Sequence, residues 1–275
     1  MTLKMSKNPN QIYKKEDLLA QLDEIGLPRD GIVLVHSSLR LVGNVEGGGK
    51  TLLDTLIEYF TNDGGLLCIP THTWGFLRRE ITLDMTEPET CLGALSAIAL
   101  ADERGIRSEN PTHSMVVFGD RKRALEFVKD ELWVESGTSP ESCYGKIFRE
   151  SGHILLVGVA HSRNTYLHCA EDMVGMPNRL SAEPRDVTIK LASGETVRRK
   201  ILTHRTDYTS DVSLRFVKYE MPFRYHRAIR DGFIGDAPVQ ACDTRIMKET
   251  VELIFKNGGA DPLTDEKPIP PMLYR

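Results

Sequence analysis

Ile154-Leu155-Leu156-Val157-Gly158-Val159-Ala160-His161-Ser162-Arg163-Asn164-Thr165-Tyr166-Leu167-His168-Cys169-Ala170-Glu171 carries an apolar run of strand length that empties into a polar turn and then into helical spacing. A strand without polar alternation is covered on both faces, as in α/β sheets. Thr165, His168 and Glu171 follow at intervals of three, which places a hydroxyl, an imidazole and a carboxylate on one helix face. They sit at the carboxyl end of a buried strand, where open α/β sheets bind their ligands. An imidazole in that place accepts a proton near neutral pH, and a carboxylate beside it fixes its tautomer. The segment reads as a general-base station; the plainer alternative is a solvated His–Glu pair on a helix surface.

The same grammar extends outward in both directions. Lys15–Ile25 shows a helical stripe closed by Gly26 and Pro28. Residues 32–35 form an apolar strand that leads into His36-Ser37-Ser38 and a run of glycines. A helix over 51–60, a strand over 66–69 stopped by Pro70, a helix over 91–101, a strand over Met115–Phe118 and a helix over 122–128 follow. Two alternating stretches, 186–191 and 196–202, then flank Ala192-Ser193-Gly194-Glu195, which signals an antiparallel hairpin. An amphipathic helix over 243–255 precedes a Gly- and Pro-rich tail. The expectation is α/β: a single-domain α/β/α sandwich over residues 1–275 with an antiparallel β-hairpin insertion.

Composition narrows the function classes. A formal charge of −4 and a pI near 6.1, with Lys and Arg dispersed among Asp and Glu, carry no nucleic-acid footprint. Five scattered cysteines are an odd set, which points to reduced thiols in a cytoplasmic protein rather than a disulfide framework. No apolar run has membrane-spanning length, and residues 1–10 lack a signal-peptide core, so no membrane partner is expected. His161, His168, Cys169 and Glu171 include zinc-ligand types, but neither Cys-x-x-Cys nor His-Glu-x-x-His spacing occurs, so no metal is expected.

Gly49-Lys50-Thr51 ahead of a helix invites a P-loop reading. That motif needs a glycine at position 44, which is Asn44; Gly43 misses by one. A glycine cluster still lets backbone N–H groups approach an anion such as a pyrophosphate at a helix start. His36-Ser37-Ser38, Thr71-His72-Thr73 and Ser114 after Pro111-Thr112-His113 all fall at strand ends, where three hydroxyl-rich turns line one crevice. Taken singly, each serves equally as a set of turn caps.

Val35-His36-Ser37-Ser38-Leu39, Gly43, Gly47-Gly48, Ile69-Pro70-Thr71, Gly93, Arg107-Ser108, Asn110-Pro111-Thr112-His113-Ser114, Gly119, Gly158-Val159 and Asn164-Thr165 leading to His168 and Glu171 together resemble the aminoglycoside 3-N-acetyltransferase family, in order from about Leu18 to Glu171. The resemblance implies an α/β/α sandwich and acetyl-CoA as co-substrate. His36, Ser37, Ser38, Gly47, Gly48, Thr71, Thr73 and Ser114 would hold CoA, with His168 near the thioester. The chain departs from the family pattern at Asn110, where a histidine is usual, at Cys143, where a proline is common, and in a short stretch between Trp74 and Arg107. These departures bear on the acceptor more than on the cofactor.

On this reading His168 removes the amine proton, Glu171 orients it, and Thr165 lies near the thioester carbonyl. Asp84 is the other candidate for the orienting carboxylate. A covalent route through Cys169 is awkward, because adjacent helix positions diverge by about 100°. The acceptor is a small-molecule amine, expected to be the 3-amino group of a 2-deoxystreptamine aminoglycoside. Asp84, Glu87, Glu89, Asp172, Asp207 and Asp211 are the carboxylates available to a polycation. The alternatives are another small amine, or a non-catalytic CoA-binding protein of the same fold. No sequence pattern sets the oligomeric state.

Overall fold

The computed structural model describes residues 11–205 and 211–275. Among them the main sheet has seven strands: β1 (Ile32–Ser37), β2 (Leu66–Pro70), β3 (Ile106–Arg107), β4 (Met115–Phe118), β5 (His153–Val157), β6 (Ile229–Ile234) and β7 (Ala237–Asp243). Their spatial order is β6-β7-β5-β1-β2-β4-β3. The three central strands, β5, β1 and β2, run parallel, and those outside them join antiparallel. Strand–helix alternation therefore holds only in the middle of the sheet. Toward one edge, β6 returns directly into β7 through Gly235-Asp236, a two-residue turn with Gly235 at φ 59°.

The period of two along each central strand divides its apolar residues between two cores. Val33, Val35, Leu155 and Val157 pack with the helices Lys15–Ile25 and Gly48–Thr61 on one face. Ile32, Leu34, Ile154 and Leu156 pack on the other face, with Tyr144 and Ile147 of helix Cys143–Arg149, Tyr166 and Leu167 of helix Tyr166–Met173, and Met247 and Ile254 of helix Thr244–Gly258. Each such side chain contributes roughly 1.5–3 kcal/mol by leaving water, so the apolar runs supply both interfaces of a sandwich. The last helix begins where Asp243 accepts hydrogen bonds from the N–H groups of Arg245 and Ile246. None of the described helices is long and apolar enough to cross a membrane.

The hairpin insertion pairs Arg185–Lys190 with Thr196–Ile201, and Leu83–Asp84 adds a short parallel strand to its other side. Val187, Ile189, Ile201, Leu83 and Leu132 form a small core of their own. The hairpin's exit is tied to the loop before helix Cys143–Arg149 by a bridge between Ser136 and Leu202, which carries His204 back over the main sheet.

Candidate active site

β1 is the switch point of the sheet: its neighbours β5 and β2 are reached by connections that leave in opposite directions. A cleft of about 510 Å³ opens at the carboxyl ends of these strands, lined by His36 and Ser37 from β1, Pro70 and His72 from the end of β2, and Val159 beyond β5. β4 is antiparallel to β2, with Met115 opposite Pro70, so the start of β4 brings Thr112 and His113 to the same edge. Ser162 to Thr165, His168, Arg185, His204 and Asp211 complete the polar wall, and Trp74, Leu77, Leu92 and Leu95 form an apolar one. Gly158 lets the chain leave β5 toward the cleft: its φ is 65°, and a Cβ there would lie 2.9 Å from Cβ of Leu41.

Of the catalytic set, Thr165 and His168 line the cleft and are half-buried. His168 Nδ1 is buried without a hydrogen-bond partner. Burial first, and then His204, Arg179 and His72, holds its pKa well below the ordinary histidine value, so the ring is neutral at neutral pH. Glu171 departs from expectation. It is fully buried, and its carboxylate accepts hydrogen bonds from Arg179 Nε and Nη2 and from Tyr219 Oη at 2.7 Å, with no bond to His168. Arg179 also donates to both oxygens of Asp261, at 2.6 and 2.7 Å. A step of three residues falls about 60° short of a full helical turn, so across two steps the face swings by about 120°. Thr165 and His168 stay on the cleft, while Glu171 turns into the core.

Asp84, the other expected orienting group, lies in a separate groove of about 300 Å³ with Arg79, Glu80, Glu87 and Glu89. It accepts hydrogen bonds from Thr86 and pairs with Lys190 at 3.4 Å. Cys169 is buried, donates to Ser139 O at 3.7 Å, and has its thiol pKa pushed up by burial, which removes it as a nucleophile. Of the acidic residues offered for a cationic acceptor, Asp211 reaches the cleft, and Asp207 lies outside the described residues.

The residues expected to hold the cofactor divide. His36 and Ser37 line the cleft, and His36 keeps an unbonded buried Nε2 and a pKa lowered by burial to about 3. Thr71, Thr73 and Ser114 point inward instead: Ser114 Oγ donates to Thr71 O at 2.7 Å, and Thr73 Oγ1 donates to Pro111 O at 2.8 Å. They brace the turns. Ser38, Gly47 and Gly48 are not among the lining residues. Gly47, at φ 76°, is the N-cap of helix Gly48–Thr61, which starts three residues earlier than its apolar spacing indicates. Lys50, the residue behind the P-loop reading, is occupied by Asp54 and Asp102 on the surface.

His204, Arg163 and Arg185 are cleft residues that sequence reading did not single out. His204 had no local signal, because only the hairpin's return brings it near His168. Asn110 was read as a departure, and its amide has clear work here. Nδ2 donates to Glu131 Oε2 and Gly137 O, both at 2.9 Å, and Oδ1 accepts from His113 N at 2.8 Å. It clamps the turn that presents His113.

The model of the aminoglycoside 3-N-acetyltransferase family matches residues 34–256. Aminoglycoside N(3)-acetyltransferase IV from Salmonella sp is 31% identical over 251 residues, covering 91% of this chain and 89% of that relative. A mutant of aminoglycoside acetyltransferase AAC(3)-IVa solved in complex with gentamicin superposes with a TM-score of 0.75 at 27% identity, over 94% of this chain and 93% of that one. The fold is shared more widely: AAC-IIIb, solved with CoASH, gives a TM-score of 0.74 at 21% identity, over 87% of this chain and 94% of that one. A cleft at the sheet's switch point with a histidine on its wall, a matching family model and a relative similar over most of its length agree. The chain belongs to the aminoglycoside 3-N-acetyltransferase family and is an acetyltransferase.

Proposed function

We propose that the chain transfers the acetyl group of acetyl-CoA to an amine, the acceptor being the 3-amino group of a 2-deoxystreptamine aminoglycoside. The observation that carries this reading is His168: a neutral imidazole on the cleft wall, with one nitrogen buried and Nε2 left to meet a substrate proton. Acetyl-CoA supplies an activated thioester. His168 takes the proton from the amine as its nitrogen forms a bond to the acetyl carbon, and the C–S bond then breaks to release the thiolate. Thr165, whose side chain lines the cleft, is a hydroxyl suited to a carbonyl or phosphate oxygen. Arg163 and Arg185, exposed on the cleft wall, suit an anionic phosphate chain, and Asp211 suits a cationic acceptor. The names of the relatives and a neighbour solved with CoASH support the same reading.

A second acceptor class has an observation in its favour. Among the described cleft residues the charged side chains are two arginines and one aspartate, a balance that suits an amine of low charge. Purified protein incubated with acetyl-CoA and either aminoglycosides or simple amines separates the two by mass spectrometry. In the same assay His168→Ala is expected to lower kcat by about 10²–10⁴-fold while acetyl-CoA binding persists. Near-normal turnover by that variant removes His168 from the mechanism.

A further inference from the structure

Four imidazoles touch in series at the cleft. Ring centroids are 4.7 Å apart for His72–His113, 5.0 Å for His113–His204 and 3.8 Å for His204–His168. Three of the four are pinned by a hydroxyl. Nε2 of His72 is hydrogen-bonded to Tyr144 Oη at 2.8 Å, Nδ1 of His113 to Thr112 Oγ1 at 3.0 Å, and Nε2 of His204 to Thr138 Oγ1 at 3.0 Å. Among the described residues, His168 has no such anchor. Its ring is held by contact alone, against His204 with 71° between planes and against Phe216 at 4.8 Å with 68° between planes.

A histidine acting as a general base commonly has a carboxylate on its second nitrogen, which fixes the tautomer and stabilises the imidazolium. Among the described residues, no carboxylate is hydrogen-bonded to His168. The charged or titratable groups acting on it, among those same residues, are His204, Arg179 and His72, and none of these is acidic. Glu171, one turn along its own helix, is committed to Arg179 and Tyr219. On the far side of His204, Asp211 is the charge that acts on it, with Thr138 as its hydrogen-bond partner and His113 as its other ring neighbour.

We propose that His204 is the positioning residue of the base, an imidazole held by Thr138 that stands against His168 in the place a carboxylate would take. The proposal rests on the reading of His168 as the base. A ring packed edge-on at 3.8 Å restricts rotation of the His168 side chain without placing a negative charge beside it. His168 therefore stays neutral to lower pH than a carboxylate-paired histidine does. When the amine proton arrives, it passes to His168 Nε2 while Nδ1 keeps its own, and His204 remains neutral throughout.

CoA release by wild-type protein, His204→Ala, His204→Glu and His168→Ala, followed from pH 5 to 9, tests this. His204→Ala should lower kcat by about tenfold or more, with KM for acetyl-CoA within about twofold. His204→Glu should move the acid limb of kcat/KM upward by about one pH unit or more, since an opposite charge within ~4–6 Å raises a histidine pKa by that order. Wild-type kcat in His204→Ala, or an unmoved limb in His204→Glu, overturns the role of His204 while leaving the base in place. An active His168→Ala overturns the underlying reading instead. Should the His204 variants not fold, long-range proton–nitrogen NMR on the wild-type protein decides. Neutral rings at pH 6, with the His168 proton on Nδ1, are expected; an imidazolium there refutes the proposal.

Discussion

Replacing Glu171 separates a structural carboxylate from a chemical one. Its oxygens accept three hydrogen bonds, two from Arg179 and one from Tyr219, at a site with no exposure to water. Burial disfavours the Arg179 charge, yet the bonds to Asp261 and Glu171 outweigh it and raise the guanidinium pKa. Glu171→Ala leaves Arg179 with Asp261 and the Pro177 carbonyl and strips Tyr219 of its acceptor. Breaking a buried ion pair from one side costs about 3–5 kcal/mol, and for a chain of this size that lowers Tm by roughly 6–20 °C. Glu171→Gln keeps the shape and one acceptor, so it costs less, about 1–3 kcal/mol. Urea and thermal unfolding followed by circular dichroism, paired with kcat measured well below Tm, is the assay. The expected result is a large stability loss with kcat of the folded protein within a few-fold of wild type. A Glu171→Gln protein with unchanged Tm and kcat reduced more than about 100-fold refutes the reasoning and returns the carboxylate to the chemistry.

Two further outcomes follow from the buried polar groups. Burial lowers the pKa of His36 to about 3 and of His161 to about 4, below the unfolded value of about 6.5. Between those limits the unfolded chain binds more protons, so stability is full above pH 6.5 and falls with pH, by about 2 kcal/mol per histidine on reaching pH 5. Glu131 works the other way, its pKa raised by burial to about 7, and returns about 2 kcal/mol over the same interval. His204, its pKa lowered by burial to about 4, adds a further loss of about 2 kcal/mol, so the net loss from these four groups is about 4 kcal/mol; a Tm that is flat or rising from pH 6.5 to 5 contradicts it. Asn110→Ala removes the amide that joins Glu131, Gly137 and His113. It should cost about 2–4 kcal/mol and lower kcat, as measured by chemical denaturation and CoA release; wild-type values in both exclude the clamp.

The central fold was legible from local patterning, because a strand buried on both faces shows a continuous apolar run and a two-residue period then divides it between two cores. Met115–Phe118, the first helix and the hairpin at 185–201 could be read the same way. The antiparallel edges could not: strand direction depends on which partner a strand finds, and short strands such as Ile106–Arg107 carry too few residues to announce it. At the site, residues within one turn of β1 and β5 were within reach of sequence reading, since His36, Ser37, Thr165 and His168 are placed by the strand ends nearest them. Glu171 lies off the cleft because a helix face drifts by about 60° every three residues, a small angle that decides between cleft and core. His204 was invisible. Its contact with His168 is made by the return of a hairpin through the bridges at Ser136 and Leu180, and a contact closed over 36 residues leaves no periodic trace in the chain.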